Sequence, residues 1–260
     1  TSANAASDAI SINGDSSTAD AKNDQGIYAV QISGNTVISA TAGGGVSLTG
    51  KTNAASSVTD KVDIYLKDAS ILANSGPITI TGLTSQGIKF DGNAYAGYKS
   101  GSAIEASSSN IAIMADKLTL AGTDRIQSSG ALTVKPYSAT TIGIAGGAGT
   151  LSLPASYFAD NFTNGFSGIT IGSASAGNIT IGNNALTYND PLTLKTAGNI
   201  TAGSSSLTGA VDQNASLVLW ADADANGTGS ISLSSSSITT NNAHLWMGGG
   251  SGSTTWNGLA

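Results

Sequence analysis

The chain has 260 residues, of which 34 are Gly, 5% are aromatic and only 10% are charged, against about 25% charged in an ordinary soluble domain; so few charges exclude a typical helix-rich enzyme. Hydrophobic residues at 40% and only 4 Pro exclude a disordered chain, because this much Ile, Val and Leu buries enough apolar surface to offset the entropy of ordering. The formal net charge is -6, and the 10 Lys plus Arg are spread along the whole length, which argues against nucleic acid as a partner.

No apolar run approaches the roughly 18 residues of a bilayer-spanning helix, so no transmembrane segment is expected. With 0 Cys there is neither a disulfide framework nor a thiolate metal site. A chain exported unfolded gains by carrying no thiol. Nothing near Thr1 shows a charged stretch followed by an apolar one, and the chain reads as an internal segment rather than one beginning at a processed leader.

Along the chain, residues 1–26 are polar and the least regular. Through the whole chain apolar residues recur as dyads separated by one small or polar residue: Ile10/Ile12, Val30/Ile32, Val46/Leu48, Ile64/Leu66, Ile88/Phe90, Ile111/Ile113, Leu132/Val134, Leu151/Leu153, Ile169/Ile171, Leu192/Leu194 and Leu217/Leu219. Their spacing averages about 21 residues, within the range of solenoid repeats. A second set falls between them, including Ile78/Ile80, Leu118/Leu120, Ile142/Ile144, Ile179/Ile181 and Ile231/Leu233, so each coil carries more than one strand.

A spacing of two puts both apolar side chains on one face of a strand and the intervening Thr, Ser or Ala on the other. The Gly, Asn, Ser and Asp between dyads tolerate positive φ or form side-chain turns. Such short strands are stable only when stacked. The fold class expected is therefore all-β, a parallel β-helix of about twelve coils of roughly 21 residues, forming one segment over 1–260 and a rod about 55 to 60 Å long. Residues 93–109 and 155–167 are expected as corner insertions; the latter holds Phe158, Phe162 and Phe166, which are expected to pack it onto the rod. Ala176-Gly-Asn-Ile-Thr180 and Ala197-Gly-Asn-Ile-Thr201 are internal copies, and Asn178 and Asn199 either stack as a hydrogen-bonded ladder or serve as turn residues.

Chemistry is sparse. Gly45 to Thr52 matches the phosphate-binding loop pattern, but Val46/Leu48 is itself a strand dyad and no amphipathic helix follows, so the match reads as coincidence. The glycine run 143–149 reads as a turn before Leu151. His244 is the single His, Glu105 the single Glu and Arg125 the single Arg, and the Asp residues are scattered through inferred turns, so no catalytic set is expected. The strongest local constellation is Asp222-Ala-Asp-Ala-Asn-Gly-Thr-Gly-Ser230. Oxygen ligands at Asp222, Asp224, Asn226 and Thr228 follow the first half of a Ca²⁺-binding loop, while Leu233 stands where a closing Glu would be needed; a weak Ca²⁺ site and a plain Asx-rich corner both remain open. Asn-x-Ser/Thr sequons occur at Asn161, Asn178, Asn199, Asn214 and Asn226. Trp220, Trp246 and Trp256 cluster late in the chain, where packing is expected and sugar stacking is the alternative.

The runs 126–136, 141–153 and 241–250 resemble repeats of very large bacterial exoproteins of the filamentous-haemagglutinin-like type. The likeness is strongest over about 104–260. It implies a right-handed β-helix, secretion across a Gram-negative outer membrane, and a role as an adhesin or cell-surface fibre without catalysis. The family's secretion domain, with its Asn-Pro-Asn motifs, has no counterpart in this sequence, which fits a stalk segment. The expected partners are flanking coils of a longer chain, further copies stacked end to end, and a host or cell-surface glycan or protein receptor. A carbohydrate-active β-helix enzyme and a self-assembling or ice-binding solenoid are the alternatives.

Overall fold

A computed structural model describes residues 8–19, 26–97, 108–211 and 215–250. The chain divides into two units, residues 1–130 and 131–260, each built from parallel sheets.

The first unit contains β1 (Asp8–Ser16), β2 (Ile27–Ser33), β3 (Val37–Ala40), β4 (Gly45–Thr52), β5 (Lys61–Lys67), β6 (Ser70–Ala73), β7 (Ile78–Gly82), β8 (Ile88–Asp91), β9 (Tyr95–Gly97), β10 (Ile111–Met114), β11 (Leu118–Thr119) and β12 (Arg125–Gln127). Strands pair with those three further on: β1, β4, β7 and β10 form one series, β2, β5, β8 and β11 a second, and β3, β6, β9 and β12 a third. Each level therefore passes once through three sheets. Registers keep the dyads in columns, Ile10 on Val46 on Ile78 on Ile111 and Ile12 on Leu48 on Ile80 on Ile113. Val46, Leu48, Ile78, Ile80, Ile111 and Ile113 are all buried. Burying such a side chain fully is worth about 1.5–3 kcal/mol, so the columns carry the stability that no single short strand has.

The second unit contains β13 (Ala131–Lys135), β14 (Ile142–Ile144), β15 (Leu151–Leu153), β16 (Gly168–Gly172), β17 (Ile179–Ile181), β18 (Leu186–Tyr188), β19 (Leu192–Lys195), β20 (Ile200–Gly203), β21 (Ser206–Gly209), β22 (Leu217–Ala221), β23 (Ile231–Ser234), β24 (Ser237–Thr239) and β25 (Leu245–Gly249). Here β13, β16, β19, β22 and β25 make one series, β15, β14, β17, β20 and β23 another, and β18, β21 and β24 the third. All the pairs are parallel.

The coil length differs from the sequence expectation. Val46 pairs with Ile78, 32 residues on, and Ile169 pairs with Leu192, 23 residues on. The 21-residue step holds between Ile179 and Ile200, at the Ala-Gly-Asn-Ile-Thr copies. Instead of about twelve coils of roughly 21 residues, the described residues form four levels in the first unit and five in the second, with three strands in a full level. Successive dyads lie on different sheets of one level, so counting dyads overcounts coils.

Between β15 and β16 the chain makes a turn of π-helix at Tyr157–Asn161. Tyr157, Phe158, Phe162 and Phe166 are all buried, and Phe158 and Phe162 meet edge to face at 5.4 Å, so the aromatic residues seat this segment on the sheets. Of the 93–109 insertion, β9 continues a sheet, and residues 98–107 lie outside the described residues. The glycine run 143–149 brings β14 and β15 side by side across a six-residue connection. A Cβ on Gly147 would fall 1.9 Å from the Thr180 carbonyl oxygen and one on Gly143 2.1 Å from that of Gly147, so these glycines permit backbone-to-backbone contact that no other residue fits.

Candidate functional site

The corners between sheets are held by side chains that reach from one level to the next. Asp63 is fully buried, and its carboxylate accepts from Thr52 N (2.9 Å), Thr52 Oγ1 (2.7 Å), Thr84 N (2.8 Å), Thr84 Oγ1 (2.7 Å) and Gly87 N (3.2 Å). One carboxylate thus joins three chain segments. In the second unit, Asn178 Oδ1 accepts the backbone N–H of Asn199 at 2.9 Å, and Asn199 Oδ1 accepts N–H and Oγ of Ser230, each at 2.9 Å. A ladder does run through these Asn residues, but from side chain to the next level's backbone rather than amide to amide.

The Asp222 loop begins where β22 ends. Asp222 is buried at φ 49°, and both its carboxylate oxygens accept the Gly227 N–H at 3.0 Å. Asn226 Nδ2 donates to Asp224 at 2.6 Å, and Asn226 Oδ1 accepts the Thr228 N–H at 2.9 Å together with the Thr228 hydroxyl. The four residues come together as a self-bonded Asx turn, and among the described residues no three His, Cys, Asp or Glu side chains form a metal-binding group. Asp222 lines one side of an open groove of about 620 Å³ with Ser230, Ile231, Leu233 and Met247. This is the edge of the last level among the described residues. Leu233, Leu245 and Met247 are 37%, 42% and 48% exposed, whereas Ala202, Leu217 and Leu219, their partners one level back, are at most 4% exposed.

Outward positions carry the side chains with binding chemistry. On β2 and β5, Tyr28 and Tyr65 stack with ring centres 5.0 Å apart, Tyr28 donating to Asp60 and Tyr65 to Asp91 at 2.8 Å. The bond to Asp60 pushes the Tyr28 phenol up to about 12, and burial followed by the bond to Asp91 also raises Tyr65 above its ordinary value. Lys89 Nζ lies 5.0 Å from the Tyr65 ring centre and 3.4 Å from Asp91, so both faces and the hydroxyl end of Tyr65 are occupied.

In the second unit, Trp220 and Trp246 stand on the outer face of β22 and β25 rather than in the interior. Both are half-buried and meet edge to face at 5.9 Å, and Lys195 Nζ lies 3.9 Å from the Trp220 ring centre. Strand parity could have shown this, since Trp220 follows Leu219 of an inward dyad and Trp246 stands between Leu245 and Met247. Trp256 lies outside the described residues, as do Glu105 and Asn214. Arg125 is folded back on its own turn, donating to the Gly122 and Asp124 carbonyls at 2.7 and 2.8 Å, and His244 is exposed just before β25. Asn161 is buried in the aromatic segment, which leaves no room for a sugar there. Residues 45–52 are strand β4, with Thr52 bonded to Asp63 instead of free to meet a phosphate.

No family model matches the chain, and neither the curated proteins nor the solved structures searched gave a match. Among the described residues no helix is long and apolar enough to cross a membrane.

Proposed function

We propose that the chain is a structural display segment, a right-handed parallel β-helix in a secreted bacterial cell-surface fibre or adhesin of the filamentous-haemagglutinin-like type. The observation that carries this reading is the recurrent pairing of strands with those three further on, which stacks aliphatic dyads into columns within each unit. Stacked levels resist shear because each is hydrogen-bonded along its length to its neighbours, and the outward positions are free to vary. Adhesion would reside in those outward side chains.

End-to-end association of copies is a second reading, favoured by the exposure of Leu233, Leu245 and Met247 on the last level among the described residues, an edge that a further strand could extend. Immunogold electron microscopy of the native source, with antibody raised against this chain, tests the main reading. Label along extracellular filaments is expected; label confined to the cell interior would refute it.

A further inference from the structure

The register of the second unit brings two outward columns together on the sheet β13, β16, β19, β22 and β25. One column runs Thr133, Thr170, Thr193, Val218, Trp246, and the neighbouring one runs Gly172, Lys195, Trp220, Gly248, with Lys135 following Val134 at the level of Gly172. Lys135 and Lys195 are the only Lys or Arg in 131–260, although they are 60 positions apart in sequence. Parity places both on one face with both described tryptophans and three threonine hydroxyls. None of the five strands carries Asp or Glu, so this face is locally cationic on a chain of net charge -6.

We propose that this face binds a polysaccharide bearing carboxylate groups, lying across the strands. Partly exposed indoles, Trp246 above all since the Trp220 ring nitrogen is buried, offer rigid apolar surface against the C–H faces of pyranose rings and lose little entropy in doing so. Threonine hydroxyls repeat at the strand spacing of about 4.8 Å and offer hydrogen bonds to ring hydroxyls. The two ammonium groups lie at levels two strand spacings apart, roughly 10 Å, which suits a chain with one carboxylate every ring or two. A densely sulfated polymer needs more cations than the two present. Trp220, with Lys195 already over its ring, orders that ammonium, and Trp246 supplies the neighbouring apolar ledge.

Binding here requires only the sheet register, so its failure and the absence of the chain from a fibre are separate outcomes. Titration calorimetry of the full chain should use polygalacturonate, dextran sulfate and neutral dextran as probes, at low and raised salt. Polygalacturonate is expected to bind more tightly than either of the others and to weaken with salt. Trp246→Ala should weaken it about tenfold, the effect of losing one aromatic stacking contact. Lys195→Gln and Lys135→Gln should each reduce the salt dependence, and Lys89→Gln, in the first unit, should change nothing. The outer lysine variants leave the inward columns intact, so they keep the test decisive if Trp246→Ala unfolds. Equal binding of neutral dextran, tighter binding of dextran sulfate, or wild-type binding by both lysine variants would overturn the proposal.

Discussion

Replacing Asp63 with Ala removes an acceptor whose surroundings cannot be rehydrated. Thr52 and Thr84 hydroxyls are 3.2 Å apart and can turn to each other, and Thr84 is only partly buried. The backbone N–H groups of Thr52 and Gly87, both buried residues, lose the acceptor that Asp63 provides. Each stranded donor costs about 1–3 kcal/mol, so the two together are expected to cost about 2–6 kcal/mol, a large part of the stability of a domain. Asp63→Asn keeps the shape but turns an NH₂ group toward donors, and should lose at least half as much. Equilibrium urea unfolding measures the loss, and native-state hydrogen exchange locates it, with faster exchange expected at Thr52, Thr84 and Gly87. A change within about 0.5 kcal/mol, the level of an ordinary surface substitution, would refute the view that this carboxylate fastens the three segments.

Tyr188 is completely buried with its hydroxyl unpaired, and burial pushes the phenol up to about 12, so Tyr188→Phe should stabilise the protein by about 1 kcal/mol; a lower melting temperature would count against it. Burial raises the Asp190 carboxyl above its ordinary value, against the opposing N–H groups of Gly165 and Phe166. The folded state therefore holds its proton more firmly than the unfolded chain does, and Asp190 lowers stability as pH rises from the ordinary carboxylate value through its folded value. Asp190→Asn retains an acceptor for Gly165 without the charge; its stability relative to wild type should rise across that window and then level off, and a pH-independent difference in denaturant unfolding would exclude the mechanism. Gly147→Ala drives a methyl against the Thr180 carbonyl, so it should cost at least about 1–3 kcal/mol in thermal or urea unfolding, and a neutral result would mean that the connection does not pack as described.

Strand parity was legible in the sequence because the period of two in Leu217/Leu219 or Ile169/Ile171 fixes which side chains point inward, whatever lies beside the strand. The glycine run before Leu151 and the aromatic segment at Phe158 to Phe166 were legible for the same local reasons, backbone freedom and apolar area. The number of strands per level was not. Ile10 and Val30 look alike as dyads, yet one stacks on Val46 and the other on Ile64, and only the turning angle of each corner decides which. Asp63 looked like another turn aspartate, because nothing local reveals that Thr52 and Thr84 reach it from both sides. The outer face with Lys135, Lys195, Trp220 and Trp246 belongs to the tertiary structure too. Composition and alternation determine that this chain makes short strands with one apolar face, while the hydrogen-bond register between levels, a long-range property, determines which outward side chains become neighbours.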